Sequence, residues 1–276
     1  DNGVYRGGIR MKRVSNVCGV PEYGYEEFRE KENRYCLLIP VINEGERIHK
    51  ELTRAKQSGI ADIVDIILCD GGSKDGSMLP SRLKELGVNT LLIKYGAGKQ
   101  GAQLRMGIHF AMRRKYKGVV TIDGNNKDSI EDVPAFLKRL DEGYDFIQGS
   151  RFIKGGRAIH TPLIRLISLR LLHAPVISLT AGKWYTDTTN AYRGYSMKYL
   201  SDERVQIFRD IFMTYELLAY LSVRADQLGM KTCEIPVTRE YPAAGKVPTK
   251  ISFWKGNSEL LKILFLNLFG KYKPRL

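Results

Sequence analysis

Cysteine and histidine, from which most disulfide frameworks and many metal sites are built, are scarce here, at 4 residues each in a chain of 276. Cys18, Cys36, Cys69 and Cys233 are scattered with no C-x-x-C pair, and Cys36 and Cys69 fall in apolar runs where cysteine acts as a small hydrophobe. This argues against a zinc site and favours a reducing compartment. His49, His109, His160 and His173 do not cluster, which removes a histidine-based metal site. Also missing is an uninterrupted apolar run of the roughly 18–20 residues needed to span a bilayer. Thr161–Thr180 is broken by Arg165, Arg170, His173 and Pro175, and Ile251–Phe269 by Lys255, Glu259 and Lys262, so neither reads as a transmembrane helix. Residues 1–34 are polar and charged, and no secretory signal is expected in them. No G-x-G-x-x-G follows the first strand. Gly96-Ala-Gly-Lys-Gln-Gly101 misses the phosphate-binding loop pattern, with Ile93 at its first glycine and Gln100 at its hydroxyl position. Dehydrogenase and ATPase readings fall away.

Positive charge, by contrast, is abundant: 44 Lys and Arg against 30 Asp and Glu, a net of +14. Such an excess suits an anionic partner, whether nucleic acid, anionic lipid or a phosphorylated substrate. The basic residues are not interleaved with aromatics in any nucleic-acid-binding motif, which disfavours the first. A hydrophobic content of 43% is ordinary for a globular chain of this length.

From Tyr35 the pattern is strand, loop, helix, repeated. Strands are expected at Tyr35–Val41, Ile63–Cys69, Thr90–Lys94, Gly118–Asp123 and Tyr144–Gly149, with helices over Glu46–Ser58, Gly76–Leu86, Lys99–Lys115 and Glu131–Glu142. Alternation of this kind implies an α/β fold, a mostly parallel twisted sheet flanked by helices. After Gly156 the rhythm changes to helical patterns at Pro162–Leu172 and Ile211–Leu228, separated by the polar loop Gly182–Arg193. Lys231–Val237 reads as a returning strand, Thr238–Thr249 as a basic loop, and Ile251–Phe269 as an amphipathic helix. Residues 1–34 are set apart as an N-terminal extension, partly ordered at best, 35–250 as the main domain, and 251–276 as a C-terminal amphipathic helix with a basic tail.

Chemistry concentrates where strands end. Ile39-Pro-Val-Ile-Asn-Glu44, Leu68-Cys-Asp-Gly-Gly-Ser-Lys-Asp-Gly76 and Ile122-Asp-Gly-Asn125 each turn from apolar to polar and acidic. Ligands of open α/β sheets bind outside the carboxyl ends of the strands. Carboxylates converging there suit a nucleotide, accepting hydrogen bonds from base or ribose and holding a cation against diphosphate oxygens.

These stretches resemble the motifs of family 2 glycosyltransferases of the GT-A fold, most of all the dolichyl- or polyprenyl-phosphate sugar synthases. Pro40-Val-Ile-Asn-Glu44 matches P-x-Y-N-E, Asp70-Gly-Gly-Ser-Lys-Asp-Gly76 matches D-D-G-S-x-D-G, and Asp123-Gly-Asn125 falls on D-x-D. Gly98-Lys-Gln-Gly-Ala102 with Arg105 and Gly107, Gly149-Ser-Arg-Phe152 with Gly155-Gly-Arg157, and Asp187-Thr-Thr-Asn-Ala-Tyr-Arg193 match segments in the same order. The resemblance runs from about Tyr35 to Lys250. It implies that a sugar passes, with inversion, from a nucleotide-sugar donor to a polyprenyl phosphate, on the cytosolic face of a membrane. It also implies that Pro40, Ile42, Glu44 and Asp70 line the base and ribose, with Lys99 on the donor side. Asp123 and Asn125 would face the diphosphate and hold a Mg²⁺ or Mn²⁺ ion. Arg151 and Arg157 would approach the acceptor phosphate or the leaving diphosphate, with Arg193 and Lys246 as lesser candidates.

The chain departs from the pattern at Ile42, which replaces an aromatic, at Gly71, which replaces a second acid, and at Asn125, which replaces the second aspartate. Lys127 stands where a further polar ligand is common, and could supply positive charge to the diphosphate itself. An amide oxygen binds Mg²⁺ or Mn²⁺ without charge, so the metal should be held more weakly. On the acceptor side, Thr161–Thr180 and Ile251–Phe269 mix apolar and basic residues, and Trp254, Lys271, Tyr272, Lys273 and Arg275 suit an interfacial helix edge. A hydroxyl acceptor would need a general base, for which Glu216 is the position to test.

Overall fold

The computed structural model describes residues 4–6, 9–243 and 253–274. Among them, strands β1 (Val4–Arg6), β2 (Ile9–Val14), β3 (Tyr23–Glu27), β4 (Tyr35–Val41), β5 (Asp65–Asp70) and β6 (Thr90–Lys94) precede β7 (Gly118–Thr121) and β8 (Phe146–Ser150). Then come β9 (Arg157–Ile159), β10 (Arg193–Ser196), β11 (Thr232–Pro236) and β12 (Thr238–Glu240). The large sheet has the order β1-β2-β3-β6-β5-β4-β7-β10-β8-β11, and β9 pairs with β12 beside it. Strands β6, β5, β4 and β7 are parallel, as are β8 and β11, while β10 runs antiparallel between β7 and β8.

The parallel centre is apolar on both faces because helices cover both. On one side Cys36, Leu38, Ile67, Cys69 and Val119 meet the helix Gln100–Arg113 and the later helices. On the other, Leu37, Ile39, Ile66, Leu68 and Val120 meet Ile48, Leu52 and Ala55 of the helix Glu46–Gln57 and Phe136 of the helix Val133–Asp141. The same side-chain alternation therefore feeds two cores through one sheet.

Three expectations change. The segment set apart as an extension supplies β1, β2 and β3 at the sheet edge, with β3 antiparallel to β6 and Tyr23 fully buried. The basic loop after Val237 opens with β12, so Thr238–Glu240 lies in register with Arg157–Ile159. The helix expected to stop at Leu172 continues to Ala181, so Leu163–Ala181 is 19 residues long and meets the length and composition of a membrane-crossing helix. Its middle, Leu169–His173, is wound as a π-helix. Pro175 explains this, since it has no N–H to give the preceding turn and a wider turn absorbs the missing bond. The C-terminal helix, Phe253–Leu268, buries Ile263 and Leu264, and Asn267 Nδ2 donates to the Ala219 carbonyl at 2.9 Å.

Candidate active site

The carboxyl ends of β4, β5 and β7 meet as the motifs require. The first two loops are laced together. Asn43 N–H donates to Ser73 Oγ at 2.9 Å, Lys74 N–H to Asn43 Oδ1 at 2.8 Å, and Gly45 N–H to Asp75 Oδ2 at 2.8 Å. Asp70 is buried and accepts from Ser73 N–H at 3.0 Å and from Ser73 Oγ–H at 2.6 Å. Gln103, from the helix Gln100–Arg113, donates its amide to the carbonyls of Val41 and Cys69, each at 2.7 Å, and so fixes the spacing of the two strand ends. A Cβ at Gly71 would stand 3.1 Å from that same amide, a close approach that a side chain there would have to displace. Pro40 sits in register with Cys69, Ile42 is exposed, and Glu44 is held by Arg47 Nε at 2.9 Å. Lys99 is exposed at the start of the helix, its N–H donating to the Met213 carbonyl at 2.7 Å.

The third loop is the most constrained. Gly124 faces Val41, whose Cγ1 lies 2.5 Å from where a Cβ would be, so any side chain would push the loop off β4. Asn126 has a positive φ of 57° and its N–H donates to Glu51 Oε2 at 2.8 Å. Glu51 is fully buried, and burial, reinforced by Asp128 and Asp123, pushes its carboxyl well above the usual range. Asp123 is gripped from two sides: Gln100 Nε2 donates to Oδ1 at 2.9 Å, and Arg239 Nη2 reaches Oδ2 at 3.4 Å. Arg239 also pairs with the buried Asp128. Burial pushes Asp128 up to about 6, against the pull of Arg239. For Arg239 burial acts the other way, but Asp128 and Asp123 outweigh it and keep the guanidinium charged.

The basic candidates separate. Arg151 is buried in a two-pronged ion pair, with Nε to Asp187 Oδ2 at 2.7 Å and Nη2 to Asp187 Oδ1 at 2.9 Å. Arg193 is almost wholly buried, and each of its three guanidinium nitrogens donates to a carbonyl, those of Asn190, Leu218 and Thr188 at 2.9, 2.6 and 3.0 Å, so it braces these segments from inside the core. This corrects its place among the phosphate-binding candidates. Arg157 is exposed on β9, and Lys246 lies outside the described residues. Glu216 accepts from Thr214 N–H at 2.6 Å and Thr214 Oγ1–H at 2.9 Å, a helix-start contact. Arg239, Gln100 and Glu51 were not among the expected site residues. Glu51 carried no sequence signal beyond helical spacing, Gln100 lay within the matched segment Gly98–Ala102 without a role being assigned to it, and Arg239 stood in what reads as a loop.

Donor chemistry does not favour a cation at this loop. Asp123 offers one carboxylate, already shared by Gln100 and Arg239, and Asn125 an uncharged amide whose Oδ1 accepts Lys127 N–H at 3.3 Å. Among the described residues no three His, Cys, Asp or Glu side chains are placed to hold a metal ion. With one shared carboxylate and one amide, Asp123 and Asn125 make a poor donor set for the divalent ion that the motif implies.

No protein-family profile matches the chain. Glycosyltransferase AglJ of Haloferax volcanii is 26% identical over 241 residues, 86% of this chain and 72% of the relative. The polyprenol monophosphomannose synthase of Mycolicibacterium smegmatis is 26% identical over 208 residues, 74% of this chain and 77% of the relative. Among solved structures, the glucosyl-3-phosphoglycerate synthase of Mycobacterium tuberculosis, in complex with Mn²⁺, uridine-diphosphate-glucose and phosphoglyceric acid, superposes with a TM-score of 0.61. It shares 14% identity, with 87% of this chain and 80% of that one covered. Fold and relatives together define the class, a glycosyltransferase of the GT-A fold. Within it, the relatives bear out the resemblance to family 2 polyprenyl-phosphate sugar synthases that the strand-end motifs carry.

Proposed function

We propose that the chain transfers a sugar from a nucleotide-sugar donor to a polyprenyl phosphate, with inversion, while resting on the cytosolic face of a membrane. One observation carries this reading beyond the class. The acidic loop and an exposed apolar helix are joined by a continuous line of contacts. Arg239 touches Asp123, its guanidinium lies 5.6 Å from the Tyr241 ring centre, and Arg165 Nη1 donates to Tyr241 Oη at 2.9 Å. Arg165 belongs to the first turn of Leu163–Ala181, whose Leu163 and Leu171 are 68% and 76% exposed. A lipid lying along that helix would bring its phosphate to the donor site.

In this reading Pro40, Ile42, Glu44 and Asp70 line the nucleoside, Lys99 lies on the donor side, and Asp123 and Asn125 face the diphosphate. Arg157, exposed on β9, serves the acceptor phosphate or the leaving group. Arg151 is a positioning residue that holds the loop after β8 to Asp187. The acceptor phosphate, with a second pKa near 6, is largely ionised at neutral pH and attacks without a general base. Its oxygen forms the new bond to the anomeric carbon as the bond to the nucleoside diphosphate breaks, and the enzyme's task is alignment and neutralisation of the leaving charge. Purified protein offered GDP-mannose, UDP-glucose and UDP-N-acetylglucosamine with undecaprenyl phosphate or undecaprenol tests this by mass spectrometry of the lipid product. Sugar on the phosphate alone is expected. Transfer to undecaprenol at a similar rate, or to neither lipid, would remove the proposal.

A further inference from the structure

The acidic loop sits among cations drawn from three separate segments. Lys127 Nζ lies 5.0 Å from the Tyr241 ring centre, and the Arg165 and Arg239 guanidinium carbons each lie 5.6 Å from it. Lys127 and Arg239 are both buried. Crowding buried like charges is unfavourable, and burial together with Arg239 lowers the Lys127 ammonium below its ordinary range. The three cations gather around the Tyr241 ring, and one of them, Arg239, also pairs with Asp123 and Asp128, beside the strand end where the donor diphosphate is read to lie. A guanidinium has five N–H donors in a planar fork, enough to hold Asp128 and still donate to a phosphate oxygen. The cation that touches Asp123 here is thus Arg239, delivered by β12, while Asn125 and Lys127 have replaced the donors that a metal would use.

We infer that Arg239 and Lys127 take over the task of a divalent metal, neutralising the leaving nucleoside diphosphate from within the chain. Donor binding and sugar transfer then proceed without metal. The inference rests on the donor-site reading above but makes a separate claim, that the site's cation is part of the polypeptide. Lys127 faces the diphosphate as a point charge and Arg239 as a fork, and Asp128 keeps Arg239 oriented.

Calorimetric titration of the full chain with UDP, GDP, CDP and ADP, after extensive chelation, separates the possibilities. For whichever diphosphate binds, EDTA and excess Mn²⁺ are expected to give the same affinity. The double variant Asn125→Asp, Lys127→Gln restores the acidic donor set, and its diphosphate affinity is expected to become Mn²⁺-dependent by about tenfold or more. Arg239→Gln should weaken the diphosphate by about tenfold while leaving the nucleoside alone unaffected. Because that change also leaves Asp128 without its partner, the wild-type EDTA comparison, which needs no mutation, decides if the variant fails to fold. Binding of a diphosphate by the wild type only when Mn²⁺ is present would overturn the inference and leave the transferase reading intact. Binding of no diphosphate under either condition would overturn both.

Discussion

Removing the guanidinium of Arg151 would leave Asp187 fully buried without its counter-charge. Breaking one side of a buried pair costs about 3–5 kcal/mol, whereas replacing both partners with apolar residues is often nearly neutral. Arg151→Met is therefore expected to lower the urea midpoint sharply, and Arg151→Met with Asp187→Leu to recover much of the loss. Normal stability in Arg151→Met with weakened diphosphate binding would instead place the residue against substrate. His109 gives a prediction of a different kind. Its Nδ1 shares a hydrogen bond with Tyr23 Oη at 3.0 Å, and burial, aided by Arg113, holds its pKa below 6.5. The folded protein thus keeps the ring neutral at pH values where the unfolded chain takes up a proton. The unfolded state binds more protons in that window, so stability is intact above pH 6.5 and is lost as pH falls below it. Melting temperatures at neutral and mildly acidic pH should show the loss, and His109→Gln should lessen it, with the remainder belonging to His173, whose pKa burial lowers to about 4. An unchanged slope in the variant would assign the acid sensitivity elsewhere.

At the scale of the element, the helix Leu163–Ala181 is the clearest case of a face without protein cover among the described residues. Leu169, Ala174, Ile177 and Ala181 are buried against the rest of the chain, while Leu163, Ile164, Ile167, Leu171 and Leu179 point outward. A polar change on the outer face removes nothing from the core, so Leu171→Glu is expected to leave the melting temperature within about 1 °C of wild type. Vesicle binding and transfer to a lipid acceptor should both fall. Lost stability would show that the face packs on protein instead. The sequence made this element legible as apolar and basic but not as continuous, since Arg170, His173 and Pro175 read as interruptions. The structure carries the chain through them with a π-turn. Strands β4 and β6 were legible to the residue because they are buried apolar runs bounded by turns. Strands β2 and β12 were not. β2 lies second from the sheet edge, between β1 and β3, and its exposed Lys12 and Arg13 break any apolar run, while β12 is three residues long and owes its extended shape to pairing with β9. That blind spot also hid Arg239, whose ion pairs with Asp123 and Asp128 exist only because β12 brings it beside them. The acidic ends of β4, β5 and β7 needed no such long-range information, because each carries its turn chemistry locally.

For the molecule as a whole, the net charge of +14 and the outward apolar faces should act together. The helix Phe253–Leu268 packs beside Leu163–Ala181 and leaves Leu261 and Phe265 exposed, with Phe269 just beyond it, and Trp184 is exposed just past the end of the longer helix. An exposed aromatic at a helix end suits the depth of lipid headgroups. Each Lys or Arg near an anionic surface adds about 1 kcal/mol at physiological ionic strength, and that attraction is screened as the Debye length falls from about 10 Å at 0.1 M salt to about 3 Å at 1 M. Apolar insertion has no such dependence. Flotation with vesicles containing anionic lipid is therefore expected to weaken between those salt concentrations without vanishing, and neutral vesicles should give only the residual, salt-insensitive part. Leu171→Glu should remove that residual part and leave the salt-sensitive one, because it adds one negative charge to a large positive excess. Binding equally strong at both salt concentrations would mean that the basic surface faces the donor and acceptor phosphates rather than the membrane. Absence of binding to any vesicle would mean that the outward helix meets another protein, and the lipid acceptor would then have to be delivered to the site by that partner.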